Sequence, residues 1–123
     1  MLKLSKKEQL EVLLDRLKAA LPELQEVIIA SGDGLPIAQI GAGDTAARVA
    51  AMAATANGLG KRIASTTHLG ELIETLIIGS QANFVAYAIG NKAVLALTMP
   101  SGANLGLVRL EAQDIAAELA AII

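Results

Sequence analysis

Leu10, Leu13, Leu14, Leu17 and Leu21 recur at spacings of three and four, which lays a single apolar stripe along a helix. Ser5-Lys6-Lys7-Glu8 ahead of them fits a capping box, in which a hydroxyl and a carboxylate each satisfy a free backbone N–H at a helix start. Pro22 cannot continue the ladder. The spacing predicts a first helix over residues 6–20. Val27-Ile28-Ile29-Ala30 then favours extended structure, Ser31-Gly32-Asp33-Gly34 supplies turn residues, and Leu35 to Ile40 resumes the extended character. This reads as a hairpin, and Pro36, which lacks an N–H to donate, places its second strand at a sheet edge.

After Gly41-Ala42-Gly43, Asp44 is positioned to cap a long second helix. Val49, Met52, Ala53, Ala56, Leu59, Gly60 and Ile63 form its larger-residue face, expected to lie on the sheet. At about 100° per residue, Ala47, Ala51, Ala54 and Gly58 fall on the far side, where a surface helix ordinarily carries charge. A row of such small residues lets a second backbone approach closely, and a second copy of the same helix is one way to cover it. The alternative is a solvated face rich in alanine because alanine is the best helix former.

Glu71 to Ile78, Asn83 to Ile89 and Lys92 to Thr98 alternate as three antiparallel strands joined by turns at Gly79-Ser80-Gln81-Ala82 and Gly90-Asn91. The last two strands are apolar on both alternating sets, so both of their faces should be covered by helices. Asn104 then caps a helix with the stripe Leu105, Val108, Ala112, Ile115, Leu119 and Ile122. The predicted order is αββαβββα in one domain over residues 1–123, with no internal repeat or linker.

Composition narrows the chemistry. Ten basic and 12 acidic side chains leave a net charge of -2, with one Tyr, one Phe and no Trp. Neither a positive field nor a stacking platform for nucleic acid is present. Zero Cys and a single His leave no material for thiolate or histidine metal cages, and no cofactor is expected. A charged N-terminal stretch without an apolar leader segment, and no run of roughly 18 apolar residues, predict a cytoplasmic chain without a membrane role. Yet 54% of residues are hydrophobic and 18% charged, an oily balance for a small body, which argues for surface hidden against a partner.

Gly41-Ala42-Gly43-Asp44-Thr45-Ala46 has the spacing of a dinucleotide fingerprint. Three features speak against it: Asp44 would set a carboxylate where the pyrophosphate belongs, the strand before it is an edge, and Glu71 lies about 30 residues on rather than about 20. His68, beside Ser65, Thr66 and Thr67, reads as part of a polar loop rather than a general base oriented by Glu71 or Glu74. Lys61 and Arg62 read either as partners of the negative end of the helix dipole or as contacts to an acidic surface. No phosphate-binding Gly-x4-Gly-Lys-Ser/Thr loop occurs.

The hairpin Ser31 to Ala38, the alanine-rich helix from Arg48 to Ile63, the strand Ala93-Val94-Leu95-Ala96-Leu97 and the helix opening Asn104 to Arg109, in that order and spacing, resemble the Roadblock family of dynein-light-chain-like domains. The likeness is to the stand-alone prokaryotic members of the MglB type. The resemblance implies an α/β sandwich: a five-stranded antiparallel sheet with helix 2 on one face and helices 1 and 3 on the other. It also implies a homodimer in which second helices pack together and third strands pair, with Ala47, Ala51, Ala54, Gly58, Leu72 and Glu74 in the interface. Family members regulate Ras-like small GTPases, as activators of hydrolysis or as scaffolds, or serve as motor light chains. The implied role is therefore a non-enzymatic regulator without a catalytic residue of its own, meeting the GTPase through Arg48, Thr55, Lys61 and Arg62. A structural dimerisation platform or adaptor and a small-ligand sensor are the competing roles. Binding that ignores the partner's nucleotide state would mark the first, and a saturable thermal shift with metabolites the second.

Overall fold

The computed structural model describes residues 3–123, so Met1 and Leu2 of the charged N-terminal stretch lie outside the described residues. The elements are α1 (Lys6–Ala20), β1 (Glu26–Ser31), β2 (Pro36–Ile40), α2 (Ala46–Thr66), β3 (Thr75–Ile78), β4 (Ala82–Ile89), β5 (Ala93–Pro100) and α3 (Leu105–Ile122). A short 3-10 turn, Gly43–Thr45, leads into α2. The capping box is formed at both ends: Glu8 N–H donates to Ser5 Oγ, and Ser5 N–H donates to the Glu8 carboxylate. Asn104 caps α3 by accepting from the Leu107 N–H.

Every strand pairs antiparallel in the order β2-β1-β5-β4-β3. Pro36 opens β2, which is an edge strand as its missing N–H requires. Alternation along the strands sorts side chains by size. Val27, Ile29, Val85, Tyr87, Ile89, Leu95, Leu97 and Met99 point to one face, where α1 and α3 close over them with leucines and Ile115. Ile28, Ala30, Ala86, Val94 and Ala96 point to the other, beneath α2. Both faces of β4 and β5 are thus covered, as their two-sided apolar pattern demands.

Three details differ from the sequence reading. Asp44 is not the cap of α2: it lies in the 3-10 turn, and the N-cap position falls to Thr45, which makes no side-chain cap. Second, α2 continues to Thr66, so Lys61 and Arg62 are interior and the last turn carries no basic residue. Third, β3 starts at Thr75 rather than Glu71. Positive φ at His68 (59°) and Gly70 (89°) breaks the extended path, and among the described residues Gly70 to Glu74 make no backbone–backbone hydrogen bond of their own.

A larger correction concerns which side of α2 meets the sheet. Ala50, Ala53, Asn57 and Ala64 are its buried residues, whereas Met52, Leu59 and Ile63 are 59%, 57% and 49% exposed. The expected sheet-facing row holds for Ala53, in part for Val49, Ala56 and Gly60, and fails for the three large side chains. Alanines oppose alanines across this contact, so helix and sheet lie too close for Met, Leu or Ile to fit between them. Ala47, Ala51 and Gly58 are exposed and Ala54 is half-buried. This row turns toward the β1–β2 hairpin: a side chain at Gly34, where φ is +88°, would come within 3.1 Å of the Ala51 Cα.

Because Ala53 is fully buried in that close contact, Ala53→Leu is expected to destabilise the fold by about 1–3 kcal/mol through overpacking. Urea unfolding checks it; an unchanged midpoint would mean that α2 is not seated on its alanines.

Candidate functional site

α2 touches all five strands and so runs across the sheet, where strands of eight residues, about 26 Å long, extend past a helix only about 10 Å across. Two helices cover one face of the sheet; α2 alone cannot cover the other. The bare part is a cross-strand row, Glu26–Thr98–Phe84–Ile77, whose members are direct neighbours in register. Together with Val49, Met52 and Ala56 of α2 this row lines an open hollow of about 260 Å³. Leu59 and Ile63 extend the apolar surface along α2, and Ile77, 55% exposed, carries it to the β3 edge, whereas Ile78 points to the opposite face of the sheet. Contiguous apolar surface of this kind on a small domain marks an interaction site.

The candidate partner-binding residues are all exposed, but only three share a stripe. Arg48, Thr55 and Arg62 are spaced by seven and stand on the outer pole of α2. Thr55 is tied down, its Oγ1 donating to the Ala51 carbonyl at 2.9 Å. Lys61 lies off this stripe, lining with Asn57 and Asn91 a hollow of about 160 Å³ beside the β4–β5 turn.

Leu72 and Glu74 turn inward. Leu72 packs on Gly60, where an added Cβ would meet its Cδ2 at 3.0 Å, and the outward residues of this segment are Glu71 and Ile73. The Glu74 carboxylate accepts from the Tyr87 hydroxyl at 2.8 Å and from two nitrogens of Arg109, Nε at 2.9 Å and Nη2 at 3.1 Å. Burial alone pulls the Glu74 carboxyl upward, but the Arg109 and Tyr87 hydrogen bonds and the Arg109 charge together outweigh it and hold the group below its ordinary 4.5. Burial first, then the Glu74 hydrogen bond and negative charge, push the Tyr87 phenol well above its ordinary 10.0.

His68 sits on an exposed loop, and among the described residues its ring makes no hydrogen bond to Glu71 or Glu74. The Gly41 loop is a chain reversal: φ is +78° at Gly41, and it follows an antiparallel edge strand, not the parallel strand of a dinucleotide fold. No group of three or more His, Asp or Glu side chains gathers as a metal site among the described residues. Sequence reasoning read the Met52, Leu59 and Ile63 side of α2 as facing the sheet rather than as an exposed site, and it missed the Tyr87–Glu74–Arg109 cluster. The first carried a signal, the spacing of seven and four between Met52, Leu59 and Ile63; the second joins three elements far apart in the chain and had none.

The architecture is therefore that of an interaction domain, a helix-flanked antiparallel sandwich whose distinctive surface is apolar and lies on one helix and one strand edge. The chain belongs to the Roadblock/LC7 domain family, whose defining sequence pattern matches residues 10–98. No curated protein matches it by sequence. Among solved structures it is similar to an MglB described with a tetrameric arrangement (TM-score 0.86, 19% identity, 99% of this chain and 93% of that one). It is also similar to the gliding protein MglB of Thermus thermophilus (0.85, 18%, 99% and 93%). A third likeness is to a Roadblock/LC7 domain of Streptomyces avermitilis (0.81, 19%, 88% and 92%). At these identities the likeness establishes the shared fold.

Two pH effects follow. The depressed Glu74 value contributes stability above about pH 4.5 that is lost as pH falls through the folded value, so Glu74→Gln should flatten the acid limb of stability measured by urea unfolding. At the alkaline end the unfolded phenol ionises first and stability falls above about pH 10. Tyr87 is the single tyrosine, and its ultraviolet ionisation is expected to coincide with unfolding instead of preceding it.

Proposed function

We propose that this chain is a non-enzymatic, cytoplasmic homodimeric regulator or scaffold of a Ras-like small GTPase. The observation carrying the dimer is the apolar surface of Met52, Leu59 and Ile63 beside the exposed β3 edge, with Ile77 on the same face. A two-fold axis there pairs α2 with its copy and β3 with its copy, burying the surface and removing a strand edge open to aggregation. Ala47, Ala51, Ala54 and Gly58 lie on the opposite flank of the same helix, toward the β1–β2 hairpin, so this axis does not bring them against their copies. Leu72 and Glu74 support the paired edge from behind. The GTPase role is supported by membership of the family and by the fold shared with MglB proteins. The proposed contact for the GTPase is the Arg48, Thr55 and Arg62 stripe, with Lys61 at its margin. A regulator of a switch must distinguish its two states, since only differential affinity shifts an equilibrium.

Leu59→Glu places a charge on an exposed position of the monomer, yet in the dimer that charge is buried without a partner, so the dimer should weaken at least about a hundredfold while the monomer stays folded. Sedimentation checks it; an unchanged dimer would move the interface elsewhere. Ras-like GTPases from the same genome, each loaded with a non-hydrolysable GTP analogue or GDP, test the partner. Preference for the GTP form, lost on replacing Arg48, Thr55, Lys61 and Arg62 by alanine, is the expected outcome. Equal binding of both forms would instead favour a structural platform.

A further inference from the structure

The lead-in to the β3 edge is held by side chains alone. Among the described residues, Gly70 to Glu74 make no backbone–backbone hydrogen bond, β3 has four residues, and β4 is its one strand neighbour. Two tethers remain, Leu72 seated on Gly60 of α2 and Glu74 gripped by Tyr87 of β4 and Arg109 of α3. The second tether is strong by its surroundings: the Glu74 side chain is only 17% exposed and the guanidinium engages it with two nitrogens. A second ion pair, Arg16–Glu118, joins α1 to α3 with both side chains about half exposed, where water screens it.

We infer that Arg109 and Tyr87 are positioning residues that act through Glu74 to hold the β3 edge in pairing geometry, making α3, on the opposite layer, a determinant of whether that edge can receive another strand. Ile73, between Leu72 and Glu74, is 71% exposed and points away from both tethers, so the clasp fixes which side chains the edge offers. The step from a held edge to a stable pair of copies rests on the homodimer reading above; the holding itself does not.

Amide hydrogen exchange of the full chain reads the holding directly. Arg109→Ala, at an exposed site, is expected to speed exchange of the Thr75–Ile78 amides bonded to β4 by about tenfold or more, with α1 amides unchanged. Arg109→Lys, which keeps the charge but not the two-pronged grip, should fall between wild type and Arg109→Ala. Glu118→Gln is the control and should leave β3 exchange as it is. In parallel the dimer dissociation constant should rise about tenfold in Arg109→Ala. Unchanged β3 exchange, or an equal rise in α1 and β3, overturns the inference. A wild-type chain that stays monomeric at every concentration would instead refute the homodimer reading, and the exchange result would still decide the clasp.

Discussion

The close seating of α2 on the sheet governs the rest of the molecule. Ala50 and Ala53 meet Ala30, Ala86 and Ala96, and a contact between surfaces this shallow brings backbones near one another. Large side chains on the same helix then have nowhere to go but outward. Met52, Leu59 and Ile63 become surface because alanines have taken the floor, and the single helix leaves part of a five-stranded sheet bare beside them. On the opposite face the sizes are reversed: two helices and large strand residues interdigitate into the main core. The two faces of one sheet thus serve different ends, one for stability and one for contact.

That division explains why the edges differ. β2 is guarded by Pro36 and flanked by α1, with Ile37 and Ile40 packed against the main core. β3 has no such guard, since Ile77 stands exposed beside the apolar side of α2 and Ile78 stands exposed on the other face. An apolar, short and unpaired edge is a liability unless something covers it. The Glu74 clasp adds a link across the layers: a residue of α3 grips the segment that carries the exposed edge, so core packing and edge geometry are mechanically connected.

The helices of the chain were legible where one stripe of large residues faced one core. In α1 and α3 the leucine and isoleucine spacing named the buried side, and the caps Ser5 and Asn104 named the starts. In α2 the same logic failed, because hydrophobicity does not say whether the alanine side or the methionine side is down. That depends on how deep the facing surface is, and the facing surface is made by Ala30, Ala86 and Ala96, residues that neighbour α2 only after β1, β4 and β5 have assembled.

Local sequence was enough for the order of elements, the edge position of β2, the two-sided burial of β4 and β5, the family, and the lack of cysteine. These follow from local periodicity, backbone restrictions at proline, and the inventory of side chains. Tertiary structure alone decided which face of α2 is exposed, that Leu72 and Glu74 turn inward, that Arg48, Thr55 and Arg62 share a stripe without Lys61, and that Arg109 reaches Glu74. Each of these depends on distances between elements remote in sequence. Such distances are set by the volumes that pack between layers, and periodicity along one element carries no information about the depth of another.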